Sequence, residues 1–196
     1  MNVTIIQYNA GNLQSVKYAL NRLGIVPQVS DDPEVIRAAD RVIFPGVGEA
    51  STAMNYLKNA GLDTVIPGLK QPFLGICLGL QLMCKHSEEG NTTCLGVFDA
   101  QVKKFEPKLK VPHMGWNRLN YPADHSLFKG LSDPSYVYFV HSYYAEVGPE
   151  TLATSNYINE FSACMQKDNF LAIQAHPEKS GDEGMQILKN FIEYGS

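Results

Sequence analysis

The 196-residue sequence lacks the features that mark several large classes of protein. No apolar run approaches the roughly 20 residues that a membrane-spanning helix needs, and the first residues carry no basic segment of the kind that opens an export signal. Lysine and arginine total 16 against 20 acidic residues, and they form no cluster that would suit a nucleic acid. We therefore expect a cytoplasmic protein with no membrane or nucleic-acid partner.

Cysteine is also scarce, and its spacing excludes two kinds of site. The four cysteines form no C-x-x-C pair, and the five histidines show no H-E-x-x-H or similar ligand spacing. This pattern predicts neither a zinc site nor a disulfide framework, so we expect no metal and no cofactor. Cys84, Cys94 and Cys164 are interpreted as packing residues in a reducing compartment.

The sequence does contain an alternation of strand and helix patterns. Its 44% hydrophobic and 18% charged residues suit one globular domain over residues 1–196. Strands near 3–8, 25–29, 42–44 and 72–74 alternate with helical patterns, which predicts an α/β fold with a mainly parallel central sheet flanked by helices. Later strand-like runs near 136–140, 152–155, 161–165 and 171–175 predict an added antiparallel portion, with a hairpin turn at 167–169. A final helix is predicted to begin with a capping box formed by Ser180 and Glu183.

The segment Gly75-Ile76-Cys77-Leu78-Gly79 follows an apolar strand and precedes a helical pattern. A nucleophile on such a sharp strand-to-helix turn is the arrangement of a nucleophile elbow, with cysteine in place of serine. The turn strains the backbone at Cys77, and side chains at the two glycines would collide as strand and helix approach each other.

The segment His176-Pro177-Glu178, near the other end, supplies a base and a carboxylate two residues apart. Positions i and i+2 of an extended segment lie on the same side, and Pro177 favours an extended His176. Each motif alone has an ordinary structural explanation, since a single cysteine is most often a small buried hydrophobe. Together they supply the parts of a thiolate triad, so Cys77, His176 and Glu178 are the predicted catalytic residues.

Gly46-Val47-Gly48 also lies between a strand and a helix. As a dinucleotide fingerprint it is poor, because Ser51 replaces the third glycine and the motif follows the third strand. Exposed backbone N–H groups of Val47 and Gly48, with that of Leu78, would suit an oxyanion instead. A tight turn that requires glycine explains the composition equally well.

Two further segments are open to two interpretations. His141-Ser142-Tyr143-Tyr144 ends an apolar strand, where ligands of α/β sheets usually sit, but it is also an ordinary strand end. The only tryptophan, Trp116, lies in the turn-rich segment Pro112–Asn117 and would suit either a core or a partner surface.

Through these motifs the chain resembles the class I (triad) glutamine amidotransferases along nearly its whole length. The cysteine elbow and His176-Pro177-Glu178 are typical of that family as a whole. The segments Tyr8–Ser15, Pro112–Asn117 and Phe139–Tyr143 resemble one branch of it, whose members supply ammonia to a synthase of histidine biosynthesis. Ala175 departs from that pattern, because the family usually has phenylalanine before the histidine.

The resemblance implies that Cys77 attacks the side-chain amide of glutamine and that the Ser142–Tyr143 backbone and Gln81 contact its amino-acid end. It also implies a heterodimer with a (β/α)₈-barrel cyclase that binds a phosphoribosyl intermediate and receives the ammonia. Glutaminase activity would stay weak until that partner is docked. The implied interface residues are Asn12, Trp116, Tyr138 and Lys179.

Three alternatives remain open from the sequence alone. The chain could serve another synthase, such as a pyridoxal-phosphate or anthranilate system, although the branch-typical segments disfavour this. It could be a stand-alone cysteine peptidase or γ-glutamyl hydrolase, which would be active without a partner. A non-catalytic scaffold is the third alternative, but it would have no need of Cys77, His176 and Glu178 together.

Overall fold

The fold was obtained from a computed structural model, which describes residues 1–8 and 12–195. The strands are β1 (Val3–Ile6), β2 (Gln28–Ser30), β3 (Arg41–Phe44), β4 (Phe73–Ile76), β5 (His86–Ser87), β6 (Thr92–Thr93), β7 (Gln101–Lys104), β8 (His113–Leu119), β9 (Ser135–His141), β10 (Tyr143–Ala145), β11 (Thr151–Tyr157), β12 (Asn159–Lys167) and β13 (Phe170–Ile173). The α-helices are α1 (Leu13–Arg22), α2 (Pro33–Arg37), α3 (Ala50–Asn59), α4 (Leu62–Val65), α5 (Leu78–Met83) and α6 (Gly181–Ile192). Within these described ranges, no helix is long and apolar enough to cross a bilayer.

A seven-stranded sheet in the order β11-β12-β13-β4-β3-β1-β2 forms the centre of the fold. The strands from β13 to β2 in this order are parallel, whereas β11 and β12 continue the sheet in antiparallel pairing. A smaller sheet, β10-β7-β5-β6, and the antiparallel pair β8–β9 lie outside it. The predicted α/β fold with a mainly parallel sheet and an added antiparallel portion is confirmed.

The central strands are buried on both faces, as their continuous apolar runs predict. Every residue of β1, β3, β4 and β13 is buried. Leu20 of α1 and Phe191 of α6 belong to the hydrophobic cluster on one face, and Leu57 of α3 and Leu80 of α5 belong to the cluster on the other. Two helical layers therefore fix the sheet, and its carboxyl edge carries the loops described below.

The turn at 167–169 is confirmed, but several strand boundaries were predicted wrongly. Lys167 pairs with Phe170 across the β12–β13 turn, and Asp168 has a φ of 51°. The first strand ends at Ile6 rather than at residue 8, and the last ends at Ile173 rather than at residue 175. The second strand begins at Gln28 rather than at residue 25. Pro27 has no N–H to give to the sheet, and Val26 before it is exposed, so regular pairing starts after the proline.

The predicted capping box at the start of α6 is wrong, although Ser180 does hold the N-cap position. The Ser180 hydroxyl donates to the carbonyl of His176 (2.7 Å) and accepts from the N–H of Tyr138 (2.9 Å). The Glu183 carboxylate accepts from the hydroxyls of Ser132 and Ser135. Tertiary partners have replaced the local cap, and Ser180 now ties the start of α6 to the segment that carries His176.

Candidate active site

Cys77 occupies the sharp turn between β4 and α5. Its backbone has a φ of 55° and a ψ of −107°, a conformation that costs free energy for any residue with a side chain. The N–H of Cys77 donates to the carbonyl of Ile173 (2.8 Å), which continues the pairing of β4 with β13. The structure therefore contains the strained strand-to-helix turn that the sequence predicts, and it places Cys77 at the carboxyl edge of the sheet.

The two glycines that flank the turn have no room for a side chain. A Cβ on Gly79 would lie 2.0 Å from the carbonyl oxygen of Phe44 in β3. A Cβ on Gly75 would lie 2.5 Å from the sulfur of Met83 in α5. Glycine at both positions lets α5 approach β3 and β4 closely, as the motif requires.

His176 and Glu178 form a buried pair beside Cys77. His176 Nδ1 lies 2.7 Å from Glu178 Oε1. His176 is extended, as Pro177 predicts, but Pro177–Lys179 form a 3₁₀ turn, so the expected extended geometry over all three residues is wrong. The turn still brings the two side chains together and holds the imidazole ring by Nδ1. Nε2 is buried without a hydrogen-bond partner among the described residues, which leaves it to exchange a proton with Cys77.

The charges around His176 favour its protonated form. Burial lowers the pKa of His176, but negative charge on Cys77 and the hydrogen bond to Glu178 outweigh this effect and raise the pKa to about 10. A protonated imidazole beside a cysteine can give its proton to a leaving group once the sulfur has attacked. The geometry brings Cys77, His176 and Glu178 together, and their role in catalysis stays a prediction.

Asn12 contacts the His176–Glu178 pair, and its position in the sequence does not predict this contact. Asn12 precedes α1, yet its side chain makes no capping hydrogen bond. Its amide instead donates to Glu178 Oε1 and lies 3.2 Å from His176 Nδ1. Since His176 Nδ1 carries a proton toward Glu178, the carboxylate oxygen is the shared acceptor of both donors. Asn12, expected at a partner interface, is buried here, and its role at an interface stays a prediction.

Gln81 and Gln174 connect Cys77 to the end of the small sheet. Gln174 Nε2 lies 3.6 Å from Cys77 Sγ, and Gln174 Oε1 accepts from Gln81 Nε2 (3.0 Å). Gln81 Nε2 also donates to the carbonyl of Tyr143 (2.9 Å). Gln81 was predicted as a substrate contact, whereas nothing in the sequence singles out Gln174.

Two buried histidines extend this network toward the β8–β9 pair. His141 Nδ1 donates to the carbonyl of Tyr143 (2.7 Å), so its Nε2 is left to accept from His113 Nδ1 (3.0 Å). His113 Nε2 then accepts from the amide of Asn117 (3.3 Å). Burial lowers the pKa of His141 to about 3 and that of His113 to about 4, so both rings are neutral at pH 7. In the described parts of the chain, no group of three or more histidine, cysteine or acidic side chains is arranged to hold a metal ion.

The predicted oxyanion donors are in a different arrangement from the one expected. The N–H of Leu78 donates to the carbonyl of Gly46 (3.2 Å), so it does not point into open space. Gly48 has a φ of 120°, a conformation that side chains rarely adopt. Val47, Gly48 and Leu78 do lie together beside Cys77, and their role as donors to an oxyanion stays a prediction.

A cavity of about 330 Å³ opens beside the nucleophile, a size that suits a small molecule. It is lined by predicted site residues together with four others: Val47, Gly48, Cys77, Leu78, Gln81, Glu89, Pro112, Val140, His141, Ser142 and Tyr143. Glu89 is a carboxylate that the motifs did not indicate, and it begins a short 3₁₀ turn after β5. Its side chain accepts from the N–H of Ala50 (2.8 Å).

The remaining predicted interface residues share one surface near the triad. Trp116 and Tyr138 face each other across β8 and β9, with ring centroids 6.0 Å apart. Trp116 is 56% exposed, and its ring lies next to Gly181, close to the exposed Lys179. The carbonyl of Tyr138 accepts the N–H of His176 (2.8 Å), so this surface is bonded directly to the triad segment.

Comparison with known sequences gives matches over nearly the whole chain. The family described as glutamine amidotransferase class-I matches residues 4–194. The chain is 57% identical to the imidazole glycerol phosphate synthase subunit HisH of Bacteroides fragilis, over 98% of this chain and all of that protein. It is 48% identical to the protein of the same name from Escherichia coli strain K12, with the same coverage.

Solved structures agree on the fold. A glutamine amidotransferase structure with 21% identity covers 98% of both chains with a TM-score of 0.74. A putative GMP synthase protein from Thermoplasma acidophilum gives a TM-score of 0.74 at 20% identity, over 98% of this chain and 93% of that one. The family match, the close relatives and the arrangement of Cys77, His176 and Glu178 lead to one conclusion: this chain belongs to the class-I glutamine amidotransferases.

Proposed function

We propose that this chain is the glutaminase subunit of imidazole glycerol phosphate synthase and that residues 1–196 act as one amidotransferase domain in the cytoplasm. It hydrolyses L-glutamine to L-glutamate and ammonia for histidine biosynthesis. The observation that carries the proposal is the strained Cys77 beside the buried His176–Glu178 pair at the mouth of a small cavity. Relatives of 47–57% identity that are named as subunits of this synthase support the choice within the family.

The reaction follows from the three side chains. The Cys77 thiolate attacks the side-chain amide carbon of glutamine, and a sulfur–carbon bond forms. His176 gives its Nε2 proton to the departing nitrogen as the carbon–nitrogen bond breaks, which releases ammonia and leaves a γ-glutamyl thioester. His176 then takes a proton from water as it attacks the thioester, and glutamate leaves. Glu178 holds the ring by Nδ1 and stabilises its protonated form.

An oxyanion forms in both steps and needs backbone donors. In this structure the N–H of Leu78 donates a hydrogen bond to the carbonyl of Gly46 and is not free to bind an oxyanion. The Gly46 carbonyl and the Val47 N–H belong to one peptide unit, so a rotation of that unit would free the Leu78 N–H and turn the Val47 N–H inward. Gly46, whose ψ changes in such a rotation, has no side chain to oppose it. We propose that the rotated state is a minor one until a docked partner stabilises it.

The cavity suits the amino-acid end of glutamine. Both hydrogens of Gln81 Nε2 are used, by Tyr143 and Gln174, which leaves its oxygen to accept from the substrate ammonium. The Glu89 carboxylate in the same wall has the complementary charge. The Tyr143 carbonyl accepts from Gln81 and His141, and the N–H of Tyr143 would bind the substrate carboxylate. Ser142 lines the same wall.

The product requires a partner. Ammonia released into water at neutral pH is mostly protonated and is then a poor nucleophile. We propose that it passes directly into a (β/α)₈-barrel cyclase that binds the phosphoribosyl intermediate and makes imidazole glycerol phosphate. The two proteins form a heterodimer through the surface of Trp116, Tyr138 and Lys179, with Asn12 beneath it.

The test is glutamate release from glutamine by the purified chain alone, and by the chain with the cyclase and its phosphoribosyl ligand. We expect low activity alone and a strong rise in the complex, both lost in Cys77→Ala. Full activity without a partner would favour a stand-alone hydrolase. A cyclase that binds but leaves the rate unchanged would favour another synthase.

A further inference from the structure

Gln174 is a fully buried polar side chain that touches both the nucleophile and the predicted substrate residue. It follows β13 directly, two residues before His176, and is 0% exposed. Because Ile173 pairs with Ile76, Gln174 lies beside Cys77 at the ends of two neighbouring parallel strands. Its two amide atoms lie 3.6 Å from Cys77 Sγ and 3.0 Å from Gln81 Nε2.

The orientation of the Gln174 amide follows from its neighbours. The Tyr143 carbonyl is only an acceptor, so the Gln81 atom that faces it at 2.9 Å must be the NH₂ group. That same group faces Gln174 at 3.0 Å, so the Gln174 atom there must be the oxygen. The Gln174 NH₂ group is therefore the one that faces Cys77 Sγ. Through Gln81, the Tyr143 carbonyl thus determines that Gln174 presents an N–H donor to the Cys77 sulfur. A hydrogen bond from such a donor stabilises a thiolate.

We propose that Gln174 is a positioning residue that donates to the Cys77 thiolate and at the same time holds Gln81 in its substrate-binding orientation. When the sulfur is protonated, it is within reach of the carbonyl of Val140 instead (3.9 Å). The proposed effect on substrate binding through Gln81 rests on the proposed glutaminase function. The proposed hydrogen bond to the Cys77 thiolate does not depend on that function.

A purely structural role makes a different prediction. A buried glutamine that only fills space and satisfies its neighbours would change stability when it is replaced, but not the reactivity of Cys77. The titratable groups that face Cys77 are His176, Tyr8 and His141, and none of them is altered by a substitution at Gln174.

The experiment measures the rate at which iodoacetamide alkylates Cys77 in the full chain between pH 5 and 9, without glutamine or cyclase. Gln174→Glu keeps the shape and the acceptor for Gln81 but replaces the donor with a negative charge. Gln174→Met keeps the approximate size and removes both hydrogen bonds. Gln166→Glu is the matched control, because Gln166 bonds to His125 and Tyr194 in another part of the fold.

We expect Gln174→Glu to slow alkylation at pH 7 by about tenfold or more and to move the half-maximal rate to higher pH. Gln174→Met should slow it by a smaller factor, and Gln166→Glu should match the wild type. Urea unfolding confirms that each variant is folded, and Gln174→Met decides the matter if Gln174→Glu does not fold. An unchanged alkylation profile in a folded Gln174 variant would overturn the proposal.

Glutamate release in the cyclase complex tests whether Gln174 holds Gln81 in its substrate-binding orientation. Gln174→Met should raise KM for glutamine, because Gln81 loses one of its two anchors, and an unchanged KM would overturn that role. If the wild-type complex releases no glutamate, the proposed function fails, and the alkylation result still decides whether Gln174 acts on the thiolate.

Discussion

The side-chain amide of Asn12 donates a hydrogen bond to the buried carboxylate of Glu178. These residues lie 166 positions apart in the sequence, and the contact joins the start of α1 to the triad segment. Glu178 must be correctly oriented to hold the His176 ring, and a hydrogen bond from a neighbouring donor fixes the position of its carboxylate. Asn12 therefore orients Glu178 in the way that Glu178 orients His176.

Replacing Asn12 tests this relationship. Asn12→Ala should lower kcat for glutamate release in the cyclase complex by about tenfold or more, since a hydrogen bond to a buried charge is lost. Asn190→Ala is the matched control: Asn190 is 7% exposed against 5% for Asn12, and its amide bonds to the carbonyls of Leu127 and Lys129 and to the side chain of Gln186, away from the triad. The control should lose stability but keep kcat. Equal kcat values for both variants and the wild type would contradict a role for Asn12.

The buried histidine pair predicts a loss of stability in acid. His141 has a pKa lowered by burial to about 3, so the unfolded chain, whose histidine titrates near 6.5, binds a proton that the folded chain does not. Stability therefore falls as the pH drops below 6.5, by on the order of 1 to 2 kcal/mol at pH 5 from this residue alone. His113 acts in the same direction. Urea unfolding between pH 7 and 5 measures the slope.

Nitrogen-15 NMR gives the direct check on the same pair. The hydrogen bonds assign the proton to Nδ1 in both His113 and His141, so both rings should be neutral Nδ1–H tautomers at pH 6. A charged ring at that pH, or a proton on Nε2 of His141, would contradict the assigned network from Asn117 to Tyr143.

Gly79 is predicted to be intolerant of alanine. The added Cβ would lie 2.0 Å from the Phe44 carbonyl, so β3 and α5 would have to move apart. We expect Gly79→Ala to destabilise the fold by about 1–3 kcal/mol or to prevent folding. Gly68→Ala is the control, since a Cβ there meets no atom within 4 Å. If urea unfolding gives both variants the stability of the wild type, the prediction is contradicted. The packing of α5 against β3 is then looser than described.

Trp116 is predicted to dominate binding of the cyclase. An exposed tryptophan that packs edge-on against Tyr138 is typical of a residue that carries much of an interface's binding energy. Trp116→Ala should weaken the complex by about 30-fold, or roughly 2 kcal/mol, in a calorimetric titration. Val26→Ala, at an 84% exposed position before β2 and away from the carboxyl edge of the sheet, should leave affinity unchanged. Equal losses in both variants would place the interface elsewhere.

The sequence predicts those parts of the site whose causes are local. The elbow at Cys77 follows from two glycines that permit a close helix–strand approach, and the extended His176 follows from Pro177. Continuous apolar strands predict a parallel sheet that is covered by helices on both faces. Each of these needs only the steric properties of a few neighbouring residues.

The parts that sequence reasoning missed depend on contacts between distant segments. Gln174 directly follows an ordinary apolar strand, and its significance appears only once β13 lies beside β4. Ser180 fits a local capping pattern, yet its hydroxyl bonds to His176 and Tyr138. The state of the Leu78 N–H depends on the orientation of one peptide unit, which composition does not specify.

Cys77 alone is expected to carry the glutamyl group, and the rest of the proposed mechanism depends on this. The other cysteines are buried: burial raises the pKa of Cys94 to about 12 and also raises the pKa of Cys84 and Cys164, so these thiols remain protonated and unreactive at neutral pH.

The most direct measurement is mass spectrometry of the cyclase complex, quenched in acid during turnover of glutamine and digested with a protease. We expect a glutamyl adduct on the peptide that contains Cys77, with none on the peptides of Cys84, Cys94 and Cys164. An adduct on another residue, or glutamate release at an undiminished rate by Cys77→Ala, would contradict the proposed mechanism.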